Sequence, residues 1–187
     1  DKEQGSRNMF ILGQMYRGDN KIESSNMMFE ALTYLKKRSR TYSVHAQIER
    51  AKNHSDKDST DTMIFALRKL GEDRENKPYF DELYYQAGII AQKNGNTGLA
   101  HDFFEKSLRT NTAKPFQKSL SYEALGNLHF DQSEYTLAGA YYDSVLQIKS
   151  VDPNSKRIRR VFAKNKSLEE VIQYEQVLKT NDSILHL

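Results

Sequence analysis

The sequence repeats itself at a spacing of 38 residues. Gly88 and Gly126 occupy equivalent positions in two segments whose apolar residues have helical spacing. In each segment an alanine, Ala100 or Ala138, follows 12 positions after the glycine. Self-similarity at a period of about 20 to 50 residues is typical of repeat arrays, in which each repeat is one supersecondary unit. Because apolar residues in each unit recur every three or four positions, on both sides of a Gly- or Ser-containing break, the unit is predicted to be a pair of α-helices.

Further copies extend the repeat through the chain. One copy near the start of the chain runs from Met9 through Gly13 and Ser25 to Leu32, and a weaker copy around Ala46 has a longer polar break before its second helix. The pattern predicts about ten helices, at 5–18, 22–37, 40–53, 59–70, 78–94, 97–110, 115–131, 134–149, 155–164 and 167–179. These helices pair into one array over 1–187, with repeats at about 6–38, 39–72, 78–112, 115–150 and 154–187.

Local signals support several of these boundaries. Gly95 is placed for the left-handed residue that ends many helices, and Pro78 suits a first helical turn. The "SLEE" sequence from Ser167 to Glu170 has the form of a capping box, so it predicts the start of the last helix.

Composition excludes several classes of function. The chain has no cysteine, which excludes disulfides, zinc-thiolate sites and cysteine nucleophiles. A charged fraction of 28% and a mean hydropathy of -0.79 favour an elongated array with much of its surface in water. The net charge of +3 is too small to indicate nucleic-acid binding by itself.

The repeat resembles the tetratricopeptide repeat. That motif has a large aromatic residue, a small residue four positions on, and then a small, an aromatic and a small residue in the second helix. Here those places are held by Tyr84, Gly88, Ala100, Phe104 and Ser107. Small side chains let the two helices approach closely where they cross, and the aromatic rings fill the space beside the crossing. The resemblance implies an all-α, right-handed superhelical solenoid of about five helix pairs.

A narrower resemblance covers about residues 60–187. The segments "KPYFDELYYQAGIIAQKNGN", "QKSLSYEALGNLHFDQSEYTLAGAYYDSVLQI" and "NDSILHL" look like the SprE/PorW-like gliding-motility and type IX secretion lipoproteins of Bacteroidetes. That resemblance implies a fragment of a longer periplasmic scaffold, tethered to the outer membrane by a lipid anchor outside this fragment. It also implies protein partners in the secretion and motility machinery, linking inner-membrane motor parts to the outer-membrane translocon.

The resemblance also places a candidate partner-binding groove on the first helix of each repeat. Its residues are Glu82, Tyr85, Ile89, Gln92, Leu120, Glu123, Asn127 and Phe130, and the first-repeat counterparts are Arg7, Phe10, Gln14 and Arg17. Several are apolar residues outside the main packing stripe, which is compatible with a binding surface. Contact with the neighbouring repeat is an equally good interpretation.

A basic segment follows the last complete repeat. The sequence "SKRIRRVFAKNK" has six basic residues and no acidic one. Ile158, Val161 and Phe162 are predicted to form its apolar stripe. The remaining face is predicted to carry the basic patch of Arg157, Arg159, Arg160 and Lys164. A solvated face is the simplest interpretation, and a docking patch for an acidic partner is the alternative. Nucleic acid is not expected, because aromatic side chains are not interleaved with the cations.

The sequence contains no recognisable catalytic, cofactor or metal motif. It has no phosphate-binding glycine loop, no HExxH and no GxSxG, and its five histidines fall at no ligand spacing. Asp56 and Asp58 imitate the start of a calcium loop, but the required glycine and final glutamate are replaced by Asp61 and Leu67. We therefore expect no enzyme activity and no cofactor.

Two other functions remain open at this stage. A peptide-clamp adaptor of the co-chaperone type needs a lysine and an asparagine four positions apart on the first helix, to hold a terminal carboxylate. Only Asn127 fits that pattern, because the residue four positions before it is the acidic Glu123. The other possibility is a regulatory repeat domain that belongs to a larger enzyme.

Overall fold

A computed structural model of the chain describes residues 2–35, 39–55, 59–110 and 114–185, and these ranges contain helices and no strand. Their nine α-helices are α1 (Lys2–Gly18), α2 (Ile22–Tyr34), α3 (Arg40–Lys52), α4 (Thr60–Glu72), α5 (Phe80–Lys93), α6 (Thr97–Arg109), α7 (Pro115–Asp131), α8 (Tyr135–Leu146) and α9 (Lys156–Leu185). A 3-10 helix at Arg74–Tyr79 precedes α5. Consecutive helices pack as pairs, so the predicted all-α helical-repeat fold is confirmed.

The chain divides into two compact units. Unit 1 spans Asp1–Thr112 and contains α1 to α6, while unit 2 spans Ala113–Leu187 and contains α7 to α9. The core of unit 2 joins all three of its helices around Tyr142, which is fully buried. In unit 1 the first two helices and α3 share a core around Phe29, which is also fully buried.

The repeated glycines lie directly beneath aromatic rings. A Cβ atom added at Gly13, Gly88 or Gly126 would lie 2.6, 2.5 or 2.6 Å from a ring carbon. Those rings belong to residues sixteen positions later in the second helix of each pair, namely Phe29, Phe104 and Tyr142. Interiors are close-packed, so no side chain fits between the helix and the ring. The ring itself occupies the space that the missing side chain leaves.

The first helices of three pairs end in the same turn. Asn20, Gly95 and Ser133 have positive φ angles of 59°, 80° and 62°. At Gly95, the amide donates to the carbonyl of Gln92 at 3.0 Å, and the next amide, of Asn96, donates to the carbonyl of Ala91 at 2.9 Å. This pair of bonds is the Schellman motif. The predicted helix end at Gly95 is therefore confirmed.

The helices of the second predicted repeat, α3 and α4, pack mainly on their other neighbours. Ala46 is fully buried on α3 in the core with Phe29 and Leu32 of α2. On α4, Gly71 lies against the ring of Tyr84 of α5, whose hydroxyl donates to the Gly71 carbonyl at 3.0 Å. The calcium-like Asp56 and Asp58 lie outside the described residues.

The prediction for the end of the chain was wrong, because α9 is one continuous helix where two were expected. Ser167 does not cap a new helix, since its hydroxyl donates to the carbonyl of Lys164 at 2.7 Å inside α9. Neither Gly nor Pro interrupts this region. Leu168 is buried seven positions after Val161, so the apolar stripe continues unbroken. The burial of Leu168 therefore stabilises α9 across the position where a break between two helices was expected.

Two smaller corrections concern Pro78 and Phe162. Pro78 lies in the 3-10 helix and not in the first turn of α5. Phe162 was predicted to be in the apolar stripe of the basic segment, but its side chain is 57% exposed. It lies at the edge of the stripe, while Ile158, Val161 and Leu168 occupy the centre. The other helix boundaries agree with the prediction to within three residues.

Candidate protein-binding face

One side of α7 carries a stripe of five residues, which we call the α7 face. Its members share a spacing of three or four positions and therefore one side of the helix; they are Phe116, Leu120, Glu123, Asn127 and Phe130. The four members that were predicted as groove residues are half-buried, and Phe116 is 61% exposed. Sequence reasoning missed Phe116, although it lies one helical turn before Leu120 and continues the same spacing.

Arg157 of α9 is fixed against this face by three contacts. Its guanidinium donates to the Glu123 carboxylate at 2.6 Å and to the Ser119 hydroxyl at 2.7 Å. The guanidinium carbon also lies 5.4 Å from the centre of the Phe116 ring, a cation-π contact. Arg157 is thus an organised cation whose charge is balanced by Glu123, and not a freely solvated one.

Lys164 makes a second connection two turns further along α9. Its ammonium donates to the Asn127 side-chain oxygen at 2.6 Å and lies 5.7 Å from the Phe130 ring centre. The Tyr142 hydroxyl donates to the same Asn127 oxygen at 2.9 Å. Burial, followed by the charges of Asp131 and Glu123, raises the pKa of Tyr142 to about 12. The hydroxyl therefore stays protonated at neutral pH and keeps this oxygen saturated.

In the predicted basic patch, Arg159 is separated from the other three cations of α9. Arg157 and Lys164 are seven positions apart, so they share the side that meets α7. Arg159 and Arg160 are exposed, and among the described residues neither side chain has an ion pair or hydrogen bond. Arg160 is three positions after Arg157 and four before Lys164, so it borders their side of the helix, whereas Arg159 lies on the opposite side.

In unit 1, the predicted groove positions of α5 are half-buried like those of α7. Glu82, Tyr85, Ile89 and Gln92 all have this intermediate burial. The His45 ring nitrogen Nε2 lies 3.3 Å from a Glu82 carboxylate oxygen, which connects α5 to α3. The Tyr85 ring centre lies 5.8 Å from that of Phe104 on α6. Two of the four positions thus contact neighbouring helices of unit 1.

The first-repeat counterparts show the same behaviour. The Phe10 ring centre lies 5.6 Å from those of both Phe29 and Tyr42, and Arg17 forms an ion pair with Glu49 of α3. Arg7 and Gln14 are exposed. Contact with the next repeat therefore accounts for part of the predicted groove, and partner binding by the groove residues stays a prediction.

No cluster of three or more metal-ligating side chains occurs in the described part of the chain. His129, the most buried histidine there, stacks on Tyr141 with ring centres 5.3 Å apart and contacts Glu134. This is the packing of a histidine within a helix pair. In the same ranges, no helix combines the length and apolar character that crossing a membrane requires.

Comparison with known proteins identifies the fold. No protein-family model matches the sequence, and no curated protein matches it. A solved structure of PilF from Pseudomonas aeruginosa, a tetratricopeptide-repeat protein, is similar to this chain with a TM-score of 0.61 at 15% sequence identity. The alignment covers 94% of this chain and 77% of PilF. At this identity the similarity shows a tetratricopeptide-like fold alone.

Proposed function

We propose that this chain is a non-enzymatic scaffold that binds other proteins, and that the α7 face with Arg157 and Lys164 is a binding surface. The observation that supports it is the pairing of exposed or half-buried apolar residues with fixed cations. Phe116, Leu120 and Phe130 supply the apolar groups, and α9 supplies the two cations. Helical repeats commonly use such surfaces for protein partners.

The chemistry of this face suits protein recognition. Aromatic residues and arginine are enriched where interfaces gain most of their binding free energy. Because Glu123 and Ser119 already hold the Arg157 side chain, little of its conformational entropy remains to be lost when a partner binds. The expected partner is a protein segment that covers Phe116 and Leu120 and offers hydrogen-bond acceptors to Arg157.

The clamp-type adaptor has less support from the same residues. Such a clamp needs free donors to hold a carboxylate. Here the position that should supply the lysine donor is held by Glu123, whose carboxylate can only accept and does accept from Arg157. A terminal carboxylate would also meet the negative charge of Glu123.

We further propose a setting in the periplasm, with the full-length protein tethered to the outer membrane by a lipid anchor. There it would serve type IX secretion and gliding motility by linking inner-membrane motor parts to the outer-membrane translocon. The support is the sequence resemblance over about residues 60–187. The PilF similarity contributes the helical-repeat fold only.

Co-purification with the tagged full-length protein from its native cells tests both proposals. We expect secretion or motility components to be captured, and Phe116→Ala to lose them. The matched control is Phe65→Ala, because Phe65 is 49% exposed on α4 and lies in unit 1. Capture that survives Phe116→Ala and Arg157→Gln would exclude the α7 face. Capture of proteins unrelated to secretion or motility would exclude the proposed setting and leave the scaffold function standing.

A further inference from the structure

A small apolar pocket lies at the turn between α8 and α9, entirely within unit 2. Its volume is about 150 Å³. The residues that line it are mainly apolar: Val145, Leu146, Ile148, Val151, Pro153, Ile158 and Phe162, with Arg159 as the one charged member. Phe162 is 57% exposed at this site, so a large aromatic ring beside the pocket is in contact with solvent. Of the lining residues, Val145 and Ile158 belong to the core of unit 2, while Arg159 and Phe162 are outside that core.

Arg159 brings an uncompensated charge to the pocket. It lies two positions after Arg157 and therefore on the opposite side of α9 from the α7 face. Its side chain is exposed and, within the described ranges, has no acidic partner. The Asp152 carboxylate, in the adjoining turn, accepts the amide of Asn154 at 2.9 Å and does not pair with Arg159.

The surrounding segment is positively charged overall. From Ile148 to Phe162 the sequence contains five basic residues and one acidic residue. Only Arg157 among the five is paired with an acidic side chain in the described residues. A partner at this site must therefore cover apolar surface and at the same time supply negative charge.

We propose that this pocket is a separate docking site for an acidic segment of a partner protein, and that it receives one bulky apolar side chain of that segment. Pockets for whole small-molecule ligands usually have volumes of about 300 to 1,000 Å³, so this one is of a size for a single side chain. A buried apolar anchor with charges at its rim is a common arrangement in protein recognition. Arg159 would meet a carboxylate next to the anchor.

The pocket distinguishes this partner from other anionic ones. Nucleic acids and anionic membrane surfaces respond to the summed charge of a region, and neither needs one apolar cavity. A peptide with an apolar anchor needs both the cavity and the charge. The site does not depend on partner binding at the α7 face, because Arg159 is on the opposite side of α9 from Arg157 and most of the pocket belongs to α8 and the turn after it.

Methyl-detected NMR titration of the 187-residue chain tests the proposal. The probe is a short synthetic peptide in which one leucine is flanked by glutamates and aspartates, and its companion has alanine in place of the leucine. We expect saturable shifts of the methyl groups of Leu146, Ile148 and Val151, with those of Leu120 unchanged. The alanine peptide should bind at least about fivefold more weakly, because it lacks the anchor.

Two charge reversals on α9 distinguish a specific contact at Arg159 from a response to the summed positive charge of the segment. Arg159→Glu should weaken binding of the leucine peptide about tenfold or more, while the matched control Arg160→Glu should change it less than about threefold. Both positions lie near the start of α9, where the helix dipole favours an acidic residue, so neither change should unfold the helix. Phe162→Ala removes a wall of the pocket and should also weaken binding, with an unchanged thermal melt.

Several results would overturn the proposal. These are equal affinity for the leucine and alanine peptides, equal effects of Arg159→Glu and Arg160→Glu, and shifts confined to methyl groups outside the pocket. No saturable shift at millimolar peptide would also overturn it. If phosphatidylglycerol vesicles or a single-stranded oligonucleotide bound more tightly than the leucine peptide, the basic residues around the pocket would be assigned to a membrane or a nucleic acid instead.

Discussion

Two regions of the molecule solve the same packing problem with different side chains: α1 to α3 in unit 1 and α7 to α9 in unit 2. In each region a helix pair is followed by a third helix whose side chains contact the first. In α1 to α3 the contact is aromatic, through Phe10 and Tyr42, and the cation Arg17 belongs to the first helix. In α7 to α9 the cations Arg157 and Lys164 belong to the third helix.

In both regions, the side of the first helix that carries these residues primarily joins consecutive repeats. The positions taken by Phe10 and Arg17 in α1 are matched by Glu123 and Phe130 in α7, and all four make contacts with the third helix. The surface of the first helix that is left for a partner depends on how completely the third helix covers these positions. Phe116, at the start of the α7 face, remains the most open, at 61% exposed.

The largest expected effect comes from breaking the close packing that both regions share. Ala138→Glu in α8 and Ser25→Glu in α2 each place a charge and extra volume at a fully buried position. Each should cost several kcal/mol of unfolding free energy, about 3 or more. Denaturant unfolding measures this, with Leu137→Glu as the control, since Leu137 is 49% exposed. Equal stability of Ala138→Glu and Leu137→Glu would refute the repeat assignment.

A smaller effect is expected at the glycines beneath the rings. Gly126→Ala and Gly13→Ala should each cost about 1 to 3 kcal/mol, because the new Cβ meets a ring at 2.6 Å. The Gly126 change should be the more costly of the two, since the hydrogen bond to Asn127 holds the Tyr142 ring in place.

The control for these glycines has the opposite expected sign. An added Cβ at Gly98 in α6 has nothing within 4 Å. Gly98→Ala should therefore stabilise the protein by up to about 1 kcal/mol, because alanine loses less conformational entropy on folding. Thermal melts of the three variants suffice, and similar losses at all three positions would contradict the role given to the rings.

The ion pairs of the two regions should differ in how well they tolerate loss of the arginine. Arg157→Gln should cost about 1 to 2 kcal/mol, because it leaves the half-buried Glu123 without its cation. Arg17→Gln should cost less, since Lys52 also lies 2.7 Å from the Glu49 carboxylate. Removing Glu123 together with Arg157 should recover part of the loss. Chemical unfolding measures all of these changes, and a larger loss for Arg17→Gln would reverse the expected order.

The smallest effect is confined to alkaline pH. Tyr142 has a pKa of about 12 in the folded protein against an ordinary value of 10.0. Because the folded state holds this proton more tightly, stability falls as the pH rises from 10 to 12. The equivalent Phe29 in α2 has no such proton. Relative to Tyr142→Phe, the wild type should lose about 1 kcal/mol between pH 8 and pH 11; parallel stability profiles of the two proteins would contradict this.

Sequence patterns predicted the helix pairs around Gly88 and Gly126 because the causes of these pairs are local. Gly88, Gly126 and the turn at Gly95 are fixed by contacts within one helix pair, so the 38-residue spacing reveals them directly. The continuation of α9 was missed because "SLEE" is a valid helix start, and its outcome depends on Leu168 being buried against α8. That burial is a tertiary effect and outweighs the local signal.

The candidate sites also depend on tertiary contacts that local sequence patterns do not reveal. The eight groove residues and four basic residues could be proposed from their places in the repeat. The pairing of Arg157 with Glu123 could not, because it joins residues 34 positions apart on different helices. The pocket beside Arg159 also depends on the path of the turn after α8, and no periodic pattern specifies that path.

The packing described for unit 2 depends most on α9 being one uninterrupted helix, whose first half packs on α8 and contacts α7 through its side chains. Hydrogen-deuterium exchange of the backbone amides from Ile158 to Ile172 tests this directly, because amides of a continuous packed helix open together. We predict slow exchange throughout, with the amides of 165–167 protected as strongly as those of 158–164. Exchange within seconds at 165–167, between two protected segments, would show two helices and contradict the account.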